Sequence, residues 1–144
     1  MKRFLTALAL TAMTAANAAS ADDQKDLVTI LTAPEPQTQL MSMVLTMQAV
    51  QQGAAAHILL CGPAGDLALK DAPESATAGQ PPKNMSPQGL MQMIMKQPGT
   101  KVEVCAIYLP GKGVGPDVLL DGIGVAKPGE MAKAVLEADA SMSF

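Results

Sequence analysis

The 144-residue chain carries 10 basic and 13 acidic side chains, a net charge of −3, and 49% apolar residues. Its one arginine is Arg3 and its aromatic side chains are Phe4, Tyr108 and Phe144, so it has no basic face, no bidentate phosphate fork and no stacking platform, which argues against nucleic acid as a partner. The length suits a single hydrophobic core and is too short for two.

Residues 1–18 read as a secretory signal peptide. Lys2 and Arg3 form the positive leader, Phe4 to Ala16 a short apolar stretch, and Ala16-Asn17-Ala18 the small residues of a cleavage site. The apolar stretch is too short for a bilayer core of roughly 30 Å, which takes about 20 residues. No cysteine follows it, so no lipid anchor is indicated. The expected mature domain runs over 19–144 with a charge of about −5, in the bacterial periplasm or outside the cell, and free of the membrane once the signal is removed.

Asp26 to Thr32 (DLVTILT) is a short β-branched run and predicts a buried strand. After Ala33-Pro34-Glu35-Pro36, a helix is predicted over 37–52, with Leu40, Met43, Val44, Met47 and Val50 on its apolar face and Gly53 as its C-terminal stop. Ala56 to Cys61 (AHILLC) predicts a second buried strand that stops at Gly62-Pro63, and 65–70 a short helix. From Asp71 to Pro87 the composition turns to Pro, Ser, Gly, Lys and Asn, the signature of a long loop. Ser86-Pro87 then reads as an N-cap with the favoured first-turn proline, opening a helix over 88–97. Lys101 to Tyr108 (KVEVCAIY) predicts the third strand, Pro110 to Pro116 a glycine-rich loop, and 117–120 one helical turn. A short strand over 122–126, a helix over 128–138 and a terminal strand over 140–144 complete the chain.

This alternation of strand and helix specifies an α/β fold: a single doubly wound domain with a mainly parallel five-stranded sheet. In such sheets chemistry collects at the carboxyl ends of the strands, near the switch in strand order. Cys61 and Cys105 both fall at or near such ends.

The order of these segments is similar to that of the DsrE/DsrF-like sulfur-relay family, which includes the TusD and YchN type proteins. The resemblance spans 26–144 and rests on LVTILTAPEP, GAAAHILLCGPAG, KVEVCAIYLPGKGV, a GIGV strand and the ending EMAKAVLEADASMSF. It implies that Cys105 occupies the place of the cysteine that carries sulfur as a persulfide, with a protein sulfur donor or acceptor as partner, a homo-oligomeric state, and no cofactor or metal. The chemistry requires a thiolate, the form that accepts or passes on sulfane sulfur. Lys112 is near in sequence and is read either as a source of positive charge for that thiolate or as a surface lysine. An export signal is unlike a relay between cytosolic partners, and Cys61 has no role in the resemblance. The enzyme reading extends at most to a sulfurtransferase-like carrier.

An oxidising compartment and an even cysteine count favour a Cys61–Cys105 disulfide. The resemblance, however, implies that the first strand separates the second from the third, putting the two cysteines about 10 Å apart. A disulfide needs Cα atoms within roughly 7 Å, so two free thiols are expected.

Eleven methionines include Met41, Met43 and Met47 on one helix and Met91, Met93 and Met95 on another. With cysteine and His57 they suggest an alternative, a Cu(I)-binding module of soft ligands. Met91 and Met93, two residues apart, point about 200° away from each other on a helix, which favours core or oligomer packing instead. His57, the only histidine, is expected to be structural or at the surface. The loop PGKGVGP has Gly113 after Lys112 where a phosphate loop needs Ser or Thr, so nucleotide binding is not indicated. Three readings stay open: a periplasmic sulfur or thiol carrier using Cys105, a copper module, and a non-catalytic subunit of a complex.

Overall fold

The computed structural model describes residues 24–144, and the predicted signal peptide lies outside the described residues. Strands β1 (Asp26–Leu31), β2 (Ala55–Leu60), β3 (Thr100–Cys105), β4 (Gly124–Ala126) and β5 (Ala140–Ser143) form one sheet in the order β4-β3-β2-β1-β5. Every pairing is parallel. The expected α/β sheet of five parallel strands is therefore what forms. Its strand order differs from the expectation: β2 and β3 are neighbours, and β1 lies between β2 and β5.

The connections follow from handedness. A crossover between parallel strands packs right-handed, so strands added in one direction put their helices on one face. Helices α1 (Pro36–Gln51) and α3 (Pro87–Ile94) join β1 to β2 and β2 to β3 on that face. Between them α2 (Glu74–Thr77) adds one turn within the stretch predicted to be loop. The chain then reverses from β4 to the far side of β1, and α5 (Pro128–Glu137) covers the opposite face.

Strand alternation sorts the core accordingly. Leu31, Ile58, Leu60, Val102 and Val104 join Met43, Met91 and Ile94 in the main cluster. Val28, Leu59 and Ala126 form a small second cluster, against which Met131, Ala134 and Val135 of α5 pack. No residue of α5 is fully buried.

Ser86 caps α3 as expected, accepting from Gly89 N at 3.1 Å. The face of α1 is rotated from the expected apolar stripe. Its buried residues are Gln39, Ser42, Met43, Thr46 and Met47, whereas Leu40, Val44 and Val50 are half-buried. Hydrogen bonds account for the rotation. Thr46 Oγ1 donates to Ser42 O at 2.8 Å, so the 2.8 Å contact between Thr29 and Thr46 hydroxyls is donated by Thr29. Gln39 Nε2 donates to Ala33 O at 2.8 Å. A buried polar seam of this kind fixes the seating of a helix because each unmatched group is costly.

Thr46→Val leaves the Thr29 hydroxyl buried without an acceptor and is expected to destabilise the fold by about 1–3 kcal/mol. Adding Thr29→Val removes the orphan and is expected to recover part of that loss. Urea unfolding of the two variants measures both, and equal stability of the single variant and the native chain would show that the seam is dispensable.

Candidate functional site

The site is built where β2 and β3 end. Leu60 and Val104 are register partners in the parallel ladder. The next residues, Cys61 and Cys105, thus come opposite one another, with Cα atoms 5.1 Å apart and a disulfide between them. Neither cysteine is free. The expectation of two free thiols about 10 Å apart is corrected by the strand order, since no strand separates β2 from β3. Cys105 is 4% exposed, Cys61 is half-buried, and Ile107 just beyond is 77% exposed. Both sulfurs belong to carboxyl strand ends as expected, but the reversal of strand order lies between β1 and β5, one strand away.

The segments leaving the two cysteines are clamped together. After β2, Gly62–Ala68 forms a tight 3-10 segment bearing Asp66. After β3, the strand does not continue to Tyr108 as predicted: Tyr108–Lys112 forms α4. Tyr108 Oη donates to Asp66 Oδ1 at 2.7 Å, and Lys112 Nζ pairs with the same oxygen. Lys112 Nζ also sits 5.5 Å from the Tyr108 ring centroid, in cation–π range. Gly65 is required here because a Cβ would come within 2.3 Å of the Tyr108 ring. Lys112 is thus engaged by Asp66, at the surface. Burial, then the hydrogen bond and negative charge of Asp66, push the Tyr108 hydroxyl well above its ordinary value of 10.0. Leu120 N→Ala68 O at 2.8 Å and Lys70 N→Val118 O at 2.9 Å extend the stitching to the Pro116–Val118 turn.

A second polar group was not legible in the sequence. His57 Nε2 and Glu103 Oε2 are 2.8 Å apart, and Lys101 Nζ approaches the same oxygen at 3.0 Å. Glu103 is buried on the α5 side of the sheet, its carboxylate over Gly124, whose bare backbone leaves it room. His57, expected to be structural or at the surface, thus pairs with Glu103, a partner that only the β2–β3 register identifies.

The methionines divide by burial. Met43, Met47 and Met91 pack in the core. Met41 and Met93, 52% and 46% exposed, line an apolar groove of about 570 Å³ beside Pro81, Pro82 and Met85. Among the described residues, no group of three or more His, Cys, Asp or Glu is placed to hold a metal ion, and no helix is long and apolar enough to cross a membrane.

The whole architecture is shared with solved structures. The chain is similar over 84% of its length to the crystal structure of the ychN protein from E. coli, with a TM-score of 0.66, 19% identity and 99% of that chain covered. The chain has the DsrE-like fold. It is also similar to MTH1491 from Methanobacterium thermoautotrophicum, described as a protein of unknown function, with a TM-score of 0.60, 14% identity, and 85% of this chain and 100% of that one covered. No family model and no curated protein matches the sequence. Within the DsrE-like fold, the disulfide and the Asp66–Tyr108–Lys112 clamp occupy one edge, formed by the segments after β2 and β3.

Tyr108 is the only tyrosine and the chain has no tryptophan, so alkaline absorbance titration reads this one hydroxyl. Native Tyr108 is expected to ionise above 10.0, and the unfolded chain in urea near it. Because the folded value is the higher one, the stability gained from the neutral hydroxyl is complete below about pH 10 and is lost as the pH rises toward the folded value. Coincident native and unfolded titrations would remove the clamp. Reduction of the disulfide, whose cysteines are 44 residues apart, is expected to lower stability by up to about 4 kcal/mol, read as the shift between oxidised and reduced unfolding curves.

Proposed function

We propose that this chain is an exported sulfur or thiol carrier in which Cys105 bears the sulfur. The observation that carries the reading is the position of Cys105, the last residue of β3 in a DsrE-like sheet, with a second sulfur joined to it across the ladder. Carboxyl strand ends are where doubly wound sheets hold their chemistry. A disulfide agrees with an oxidising compartment, as the signal-like leader suggests.

In the reduced chain the Cys105 thiolate attacks the terminal sulfur of a donor persulfide, R–S–SH. A bond forms between Cys105 Sγ and that sulfur, and the bond to the donor sulfur breaks. The electron pair leaves on RS⁻, which takes up a proton, and Cys105 becomes a persulfide. A partner protein supplies or accepts the sulfur. The copper reading has no comparable support, since both thiols are tied together and Met43 and Met47 are enclosed in the core.

The test uses Cys61→Ser, in which Cys105 has no disulfide partner. Incubated reduced with an alkyl persulfide and analysed by intact mass, it is expected to gain about 32 Da. The Cys61→Ser/Cys105→Ser double variant is expected to gain nothing. A Cys61→Ser chain that stays unmodified would end the carrier reading.

A further inference from the structure

We propose that Cys61 is the resolving residue of this site, discharging the Cys105 persulfide as hydrosulfide and making the chain a dithiol-dependent persulfide reductase. The inference rests on the carrier reading of Cys105 and extends it to the fate of the sulfur. A carrier that only stores and hands on sulfane sulfur needs a single cysteine. This chain places a second one opposite the first, on the neighbouring strand, with Cα atoms 5.1 Å apart. That spacing lies within the range a disulfide requires. The ladder fixes it through the Leu60–Val104 pairing one residue earlier. The Asp66–Tyr108–Lys112 clamp holds the segments that follow, so neither sulfur is carried on a free loop.

The chemistry closes without an unnamed reagent. Once Cys105 holds the persulfide, the Cys61 thiolate attacks Cys105 Sγ. The Cys61–Cys105 bond forms, the bond from Cys105 Sγ to the outer sulfur breaks, and the electron pair leaves on hydrosulfide, which takes a proton according to pH. The two cysteines are oxidised to the disulfide by two electrons, and the sulfane sulfur is reduced to sulfide. Restoring the dithiol takes two electrons from an external dithiol reductant. One of its thiolates attacks the disulfide and its second thiol clears the mixed disulfide, leaving the reductant oxidised. In the disulfide form, the one these exposures describe, exposure directs that attack. Cys105 is 4% exposed, whereas Cys61 is half-buried at the start of the exposed Gly62-Pro63 turn. Attack at Cys61 expels Cys105 as the thiolate, which is the form that receives the next sulfur. Persulfide reduction and reductive reopening thus use opposite members of the pair.

Holding both sulfurs in contact geometry turns discharge into an intramolecular step, and such steps are favoured by large effective concentrations. Removing Cys61 is accordingly expected to slow hydrosulfide release by about 100-fold or more. The experiment is a single turnover. The full chain is reduced, freed of reductant and mixed with one equivalent of an alkyl persulfide. Released hydrosulfide and intact mass are followed with time, subtracting the release seen with Cys61→Ser/Cys105→Ser. The native chain is expected to release about one hydrosulfide per chain and to finish about 2 Da lighter than the reduced protein. Cys61→Ser is expected to keep its gain of about 32 Da and release almost none. If the native chain keeps the added mass as long as Cys61→Ser does, the resolving role is wrong while the carrier reading stands. If Cys61→Ser folds but never gains the mass, both fall. The native chain alone decides the resolving role should the variant not fold, because a native chain that takes up sulfur and releases none excludes it.

Discussion

Neighbouring strands of a parallel ladder lie about 4.8 Å apart, and two residues that face each other across it have nowhere else to go. At the end of the β2–β3 pairing those residues are Cys61 and Cys105. The disulfide, the tight 3-10 segment after one cysteine, the helix after the other and the clamp between them all depend on that adjacency. Had another strand intervened, the two sulfurs would have been beyond bonding distance, and Asp66 and Tyr108 would have lost one another as well. The site is in this sense a property of sheet order before it is a property of any side chain.

The clamp shows how much a single carboxylate organises at that edge. Asp66 Oδ1 receives the Tyr108 hydroxyl and the Lys112 ammonium together, and the buried tyrosine ring fills the space over Gly65. The arrangement is partly exposed, so its ion pair contributes less than its hydrogen bond and ring burial. Its value is positional. It ties the segment after β2 to the segment after β3 within a few residues of the disulfide, so cleavage of the sulfur bond would leave the two strand ends tethered. For a pair of thiols meant to close and reopen, that tether preserves the geometry of the open form.

The local structure was legible because it rests on local chemistry. Ser86-Pro87 marks a helix start, the β-branched DLVTIL a strand, and the alternation of both a parallel sheet. What the sequence withheld was long-range. Nothing in AHILLC or KVEVCAIY says that those two strands pair, and the disulfide and the His57–Glu103 contact follow only from that pairing. The end of β3, at Cys105 and not at Tyr108, departs from the sequence pattern for a related reason. CAIY is continuously apolar, but Tyr108 finds Asp66 by starting a helix, a partner 42 residues away. The face of α1 was hidden differently. Apolar residues occur around much of the helix, and the face against the sheet was selected by Thr46 and Gln39 through hydrogen bonds that a hydrophobic pattern cannot register.

The two faces of the sheet are unequally invested. Beneath α1 and α3 lies nearly all of the enclosed apolar volume, whereas α5 covers its face without burying one residue completely. The terminal strand β5 is held to β1 by four register pairs and at its approach by Asp139, which accepts from Asp26 N at 2.8 Å and pairs with Lys25. Few enclosed contacts and solvent-facing ties are the marks of a segment that opens below the global unfolding free energy. The segment formed by α5 and β5 therefore rests on less enclosed apolar contact than the α1/α3 core and is expected to open before it. Its departure would bare Val28, Leu59 and Ala126, giving the molecule a transient apolar surface that the closed form keeps covered.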